Sequence, residues 1–309
     1  GSKSNFSDIF YTHQQGWLMP GTVEAIFRGP SGRDGNANNS NWNTSKVFGP
    51  KNKKVVDHDN VIHQPTGNLI DAYGMSNGLP IDDPESGWDP THPYKNRDPR
   101  FYHDIVFDGF HYVIAADVLS EEQKPFEYCE LYTGGAMRDV ALSSSTGYFC
   151  QKLIPHQCNQ GDKWYDWGGA LHCYLPYMRL ADIYLMYAEA CAAFDGAQGK
   201  SSKYDLTAED AINRLRDRVS DGNEKFRVNA KFVADRKLFI DEVRRERAVE
   251  LAFEGFRFCD LQRWLLLTEP KYTLKYSHEF ERLETAAWFK SHDPADARVA
   301  NFRKEELIR

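Results

Sequence analysis

Four carboxylates, Asp82, Asp83, Glu85 and Asp89, lie close together in a stretch that also carries four prolines (GLPIDDPESGWDPTHPYKNRD, residues 78–98). Glycoside hydrolysis needs two carboxyl groups facing each other across a sugar, roughly 5–9.5 Å apart. Among Pro and Gly, however, Asp is chiefly a turn former that bonds its own backbone. Turn formation is therefore the expectation here, and the order of the oxygens does not match an EF-hand loop. The ten histidines, among them His58, His63, His92, His103, His111, His156 and His172, are scattered, with no HExxH and no HxH. His156 and Cys158, near Cys150, fit no standard zinc spacing. No GxSxG, GxxxxGK[ST] or GxGxxG occurs, so the common hydrolase and nucleotide fingerprints are missing. These residues predict no catalysis, no metal and no cofactor.

Aromatic residues are the positive signal. They make up 14% of the 309 residues, with seven Trp, sixteen Tyr and nineteen Phe. A flat ring can stack on the apolar face of a sugar while neighbouring amides reach its hydroxyls. Trp42 sits in a polar loop, residues 28–43, beside Asn39, Asn41 and Asn43. Trp88 and Tyr94 lie in the 78–98 loop, and Trp164, Tyr165 and Trp167 in a loop at 160–169. Each has an alternative role, plugging the core beneath its own loop. The candidate ligand contacts are Trp42, Asn41, Asn43, Trp88, Tyr94, Trp164 and Trp167, with Trp42 first and Trp88 next. Trp264 and Trp288 are expected to pack helices. A formal net charge of −7 argues against nucleic acid, whose phosphates require a basic surface.

The elements that position these loops divide the chain by texture. Residues 1–175 are rich in Gly, Asn, Asp, Pro and aromatics, with short pieces at 101–106 and 112–114 that read as strands. Residues 176–309 are largely helical. Leu180, Tyr184, Tyr187, Cys191 and Phe194 form one stripe of a helix that Pro176 opens and Gly196 closes. A second helix starts at Thr207 with Asp210 in capping-box position, its stripe being Ile212, Leu215 and Val219. A third spans 235–253, closed by Gly255, and a fourth 258–267, stopped before Pro270. The tail after Tyr272 is mixed. Charged residues three and four apart, among them Arg244, Arg245, Glu246, Arg247 and Glu250, predict surface pairs of about 0.2–0.5 kcal/mol each. Glu250, Arg257, Asp260 and Arg263 are expected to form a structural ion network holding two helices. Of the six cysteines, Cys191 and Cys259 read as buried, and a bridge within Cys150, Cys158 and Cys173 stays open. No run of about 18 apolar residues is present to span a bilayer as a helix.

Several separated motifs resemble the SusD/RagB family in one order. The strongest is Tyr177-Met178-Arg179-Leu180-Ala181-Asp182-Ile183-Tyr184-Leu185-Met186-Tyr187-Ala188-Glu189-Ala190, like that family's signature helix. Ala211-Ile212-Asn213-Arg214-Leu215-Arg216, Glu242-Val243-Arg244-Arg245-Glu246-Arg247, Glu250-Leu251-Ala252-Phe253-Glu254-Gly255-Phe256-Arg257 and Asp260-Leu261-Gln262-Arg263-Trp264 follow. Upstream lie Asn77-Gly78-Leu79-Pro80-Ile81, Asn96-Arg97-Asp98-Pro99-Arg100-Phe101 and Thr146-Gly147-Tyr148-Phe149. The resemblance implies a mainly α fold, a tetratricopeptide-like helical scaffold packed against an irregular loop-rich region with short strands. It further implies a non-catalytic, surface-exposed outer-membrane lipoprotein that binds an oligosaccharide and delivers it to a SusC-like TonB-dependent transporter. The alternative is an interaction scaffold that docks on the transporter with little ligand affinity. Gly1-Ser2 reads as a cloning remnant, and the lipid anchor is expected in an N-terminal region absent from this chain.

Overall fold

The computed structural model describes residues 10, 24–28, 64–114, 119–121, 124, 127–138, 143–153 and 176–307. Its helices are α1 (Gly67–Ala72), α2 (Pro99–Asp104), α3 (Leu180–Asp195), α4 (Ala208–Ser220), α5 (Ala230–Val233), α6 (Arg236–Glu250) and α7 (Arg257–Arg263), with further short turns. The strands pair only two at a time, all antiparallel. β1 (Ala25–Arg28) pairs with β4 (Pro176–Arg179), and β2 (Ile105–Val106) with β3 (Phe149–Cys150). β5 (Lys200–Ser201) pairs with β6 (Tyr204–Thr207), and β7 (Tyr276–Arg282) with β8 (Val299–Glu306).

Local signals set several helix ends. The Thr207–Asp210 capping box forms reciprocally at the start of α4, whose Ile212 and Leu215 are buried. Asp98 caps α2 by accepting from the Arg100 N–H, with Pro99 in the first turn where it lacks nothing. That cap overrides the strand expected at 101–106, leaving only Ile105–Val106 extended. At 112–114 there is no strand, only a lone bridge between His111 and Tyr128. The third helix ends at Glu250, short of 253, and Phe253 and Gly255 both turn with positive φ. The fourth spans Arg257–Arg263, and Leu265 beyond it is left-handed.

Long-range contacts reset others. Pro176–Arg179 is a strand rather than a first helical turn. The Leu180 N–H donates to the Glu24 carbonyl at 2.6 Å, and Arg179 pairs with the Glu24 carboxylate at 2.7 Å. α3 packs against both α4 and α6 through Ala181, Leu185, Ala188, Cys191 and Ala192, with Tyr184 and Tyr187 of the expected stripe partly buried against the same core and Phe194 outside it. Small residues let the helices approach closely. Phe194 is 78% exposed, and Ile183 and Met186 also face outward. Cys259 is exposed, and the buried Cys150 thiol donates to the Lys152 carbonyl; Cys158 and Cys173 lie outside the described residues. The mixed tail is an antiparallel hairpin whose Phe280 and Val299 join Ile70, Tyr94, Phe101, Phe107, Tyr148 and Val249 in one core. Residues 276–306 thus pack into the loop-rich part as well as following the helices in sequence.

The two parts are locked by buried charge. Glu242, Glu246, Glu250 and Glu254 recur every four residues along α6 and just past its end. Arg100 of α2 bonds Glu250 at 2.9 Å and also reaches Glu246. Arg179 bonds Glu250 at 2.8 Å and Glu254 at 2.7 Å; Lys152 bonds Glu254 at 2.8 Å. Arg216 of α4 reaches Glu246 at 2.9 Å and also Glu242, which Arg245 pairs as well, and Arg218 reaches Glu250. Farther on, Arg247 joins Asp182 and Asp260, while Arg263 joins Asp260 and Glu189. Arg257 departs from the expected network and lies over the Tyr272 ring instead. Apart from Arg245–Glu242 within α6 and the pairs of the half-exposed Arg263, these pairs are buried and cross between segments, so the surface magnitude expected from helical spacing does not apply to them. Each buried ion carries a desolvation penalty of several kcal/mol that only close, well-bonded partners offset.

Burial raises the glutamate pKa values, but the surrounding cations outweigh it. Arg245 and Arg216 bring Glu242 down to about 2, and Arg218, Arg179 and Arg100 hold Glu250 well below the usual range. Two outcomes follow. Glu250→Gln should cost about 3–5 kcal/mol in urea denaturation, because it leaves buried arginines unbalanced; a loss within about 0.5 kcal/mol, the size of an ordinary surface change, would contradict the lock. A folded pKa below the unfolded value gives stability that is present above the ordinary carboxyl value of 4.5 and lost as pH falls through the folded pKa. The urea midpoint should therefore fall as acidification proceeds from 4.5 toward about 2.

Candidate functional site

The 78–98 loop is the described segment that carries candidate ligand contacts. Gly78 opens it at φ +80, where a Cβ would stand 2.7 Å from the Arg227 carbonyl oxygen. Arg245 donates to the Gly78 carbonyl at 3.0 Å. Arg97 closes it from within the core, donating to the carbonyls of Ile70 (2.6 Å), Tyr73 (2.7 Å), Pro93 (2.9 Å) and Gly74 (3.3 Å). Its guanidinium hydrogen-bonds backbone carbonyls and lies over the Phe101 ring at 4.8 Å, and burial lowers its pKa against the pull of Asp71 and Asp98.

The acidic residues behave as turn formers. Asp83 accepts the Glu85 N–H at 2.9 Å and pairs with Lys231, which also meets Glu85. Asp89 accepts the Thr91 N–H at 2.8 Å and contacts His92 at 3.0 Å. Among the described residues, no group of three or more His, Cys, Asp or Glu is placed to hold a metal ion.

The aromatic candidates part company. Trp88 is half-buried, its indole N–H donating to the Pro93 carbonyl at 3.3 Å and its ring meeting Phe302 of β8 edge-on at 5.5 Å. Part of its surface remains open above the loop. Tyr94 is fully buried, 4.7 Å from the Phe107 ring and stacked on Phe101. It has no face for a sugar, which removes it from the candidate contacts. Position 94 follows a proline in a polar loop, and nothing in that local sequence marks it as core. Trp42, Asn39, Asn41, Asn43, Trp164, Tyr165 and Trp167 lie outside the described residues. The sequence reading missed an exposed aromatic pair, Phe27 on β1 and Tyr177 on β4, with ring centroids 5.9 Å apart. Tyr177 was hidden by reading 176–179 as helix.

A Tyr148–His278–Asp71 chain has the form of an acid–base relay. The Tyr148 hydroxyl and His278 Nδ1 are 2.8 Å apart, and Nε2 lies 3.3 Å from Asp71 Oδ1. Burial raises Asp71, but His278, Lys304 and Tyr276 together hold it near 2. Burial pushes His278 down against the pull of Asp71 and pushes the Tyr148 phenol far up. Both Tyr148 and His278 are buried, 0% and 2% exposed. A phenol held in its neutral form away from solvent has neither the charge nor the access for nucleophilic chemistry. The chain binds β7 to α1.

The comparisons with known proteins agree with this architecture. The sequence profile of the SusD family matches residues 23–306, and the chain belongs to that family. It is similar to a SusD-like protein of Bacteroides fragilis, at 26% identity and a TM-score of 0.63, covering 90% of this chain and 49% of that one. A second structure, described as a SusD-like carbohydrate binding protein of the same species, is 20% identical with a TM-score of 0.58, covering 98% and 53%. The chain thus spans about half the length of the solved relatives it matches. No curated protein matches it. The expected fold class, a helical scaffold with an irregular, strand-poor part, is the one observed.

Tyr94→Ala should cost about 3–5 kcal/mol of stability, the usual range for a buried aromatic. Tyr94→Phe should cost far less, because the only polar group its buried hydroxyl approaches is the Tyr148 hydroxyl, without a well-formed bond. Thermal melts of both variants check this, and a large loss in Tyr94→Phe would place a bond on that hydroxyl.

Proposed function

We propose that this chain is the C-terminal part of a non-catalytic, surface-exposed lipoprotein that binds an oligosaccharide and delivers it to a SusC-like TonB-dependent transporter in the outer membrane. The family match over residues 23–306 carries the reading. The carbohydrate-binding description of the second Bacteroides fragilis protein supports the ligand class. The loop-rich part, residues 1–175, faces the ligand, and the helical part from 176 supports it. Trp88 is the described contact; Trp42, Asn41, Asn43, Trp164 and Trp167 complete the set. Phe27 and Tyr177 offer a second aromatic surface, on strands pinned by Arg179 and Glu24. The membrane attachment is an N-terminal lipid. No helix among the described residues is long and apolar enough to cross a membrane.

A scaffold role without ligand affinity has its own support in the outward apolar residues of α3, Ile183, Met186 and Phe194. Calorimetric titration with a panel of neutral glycans separates the two, since a pure scaffold gives no binding heat with any of them. For the binding role, Trp88→Ala and Trp42→Ala should each lower affinity by about 1–3 kcal/mol, the size of one large apolar contact. The melting temperature should change little. Unchanged affinity would remove the residue concerned from the site, and reducing-end release by the protein would overturn the absence of catalysis.

A further inference from the structure

His278 stands at the centre of a closed set of neighbours. α1 contributes Asp71 and the wall at Gly67, where a Cβ would lie 2.9 Å from Nε2. Tyr148 meets Nδ1, with the Tyr94 hydroxyl buried beyond it. Tyr276 of β7 stacks on the imidazole, and Lys304 of β8 pairs with Asp71. Arg97 adds positive charge from farther off. The remaining face carries Phe302, whose ring centroid is 4.9 Å away; Phe302 in turn carries Trp88 at 5.5 Å. An unbroken line of ring contacts therefore joins one buried titratable group to the described candidate ligand platform.

The neutral tautomer is fixed by its partners. Nδ1 accepts from the Tyr148 hydroxyl, so the proton is on Nε2, facing the Asp71 carboxylate. That approach, at 3.3 Å, is off the line of a formed hydrogen bond. Protonation at Nδ1 turns a loose dipolar contact into a charge-assisted one, which is shorter and stronger. It also obliges Tyr148 to turn its hydroxyl proton away and accept from Nδ1. The first change draws the ring toward Asp71, and the second keeps the Tyr148 bond with its direction reversed. Phe302, packed on that ring, follows, and the edge contact that seats Trp88 moves with it.

We propose that His278 is a positioning residue for Trp88, acting through Phe302, so that the protonation of one buried imidazole resets the ligand platform of the 78–98 loop. This rests on the reading of Trp88 as a ligand contact. The imidazole is neutral at neutral pH, since burial lowers its pKa from the ordinary 6.5. The platform therefore changes on acidification below that value.

Fluorotryptophan-labelled chain tests this by fluorine NMR, with the Trp88 signal assigned through Trp88→Phe. The measurements are made in a His92→Asn background, because His92 is a second imidazole in the same loop as Trp88. The Trp88 signal should move with a midpoint below 6.5. The movement should vanish in His278→Gln and in Phe302→Leu, while the His278 imidazole still titrates in Phe302→Leu. A Trp88 signal that stays flat between about pH 8 and about pH 5, or that moves equally in Phe302→Leu, overturns the proposal; the second variant decides if His278→Gln does not fold. Titration with the glycan panel at both pH values keeps the two readings apart. Absence of glycan binding removes Trp88 as a contact and leaves the coupling standing, whereas a flat fluorine signal removes the coupling whatever the glycans do.

Discussion

Glu242, Glu246, Glu250 and Glu254 form a buried carboxylate stripe on which the rest of the structure depends. Their cations come from separate segments: Arg100 from α2, Lys152 from the turn after β3, Arg179 from β4, and Arg216 and Arg218 from α4. An isolated buried charge is too costly to leave, so each segment must dock with its cation against its own glutamate. Apolar contacts alone tolerate sliding of one element past another. A row of charges does not, because any shift short of a full helical turn leaves buried arginines without a carboxylate opposite. The stripe therefore fixes register between the helical scaffold and the loop-rich part while adding little net stability over an apolar interface.

Rigidity of the scaffold lets short strands and long loops hold their shape. The 78–98 loop has little regular structure, yet Arg97 and Arg245 tie its ends by donating to backbone carbonyls. Asp83 and Asp89 shape the turns between. Nearly every ionisable group in the described interior is occupied in this way, with a partner that holds an element in place.

The C-terminal hairpin ties these layers together. Phe280 and Val299 complete the core beneath the loop, and the Val299 N–H donates to the Thr91 carbonyl at 2.9 Å. Phe302 backs Trp88 on the outside. A short sheet that would be marginal alone is stabilised because both of its faces meet other elements. Nothing in the mixed composition after Tyr272 announces this. Tyr276, His278 and Phe280 alternate as a strand does, but the first two bury hydrogen-bonding groups whose partners, Asp71 and Tyr148, lie far away in sequence.

The sequence by itself determined what rests on contacts within a few residues. The capping box at Thr207 and Asp210, the turn-forming role of Asp83 and Asp89, the existence of the main helices and the ordered motifs of the SusD family were all legible, because both partners of each interaction lie side by side in the chain. Tertiary structure decided the rest. Pro176–Arg179 became a strand because Arg179 meets Glu24, 155 residues away. Tyr94 became core because Phe101, Phe107, Tyr148 and Phe280 close around it. The helical charges proved to be buried ties because Glu250 meets Arg100 across 150 residues. A helix with apolar residues on every side does not reveal which it will bury most deeply, and in α3 Ala181, Leu185, Ala188 and Ala192 are fully enclosed by α4 and α6 while Tyr184 and Tyr187 are only partly so. Burial is a property of what the rest of the chain brings, and no local pattern contains it.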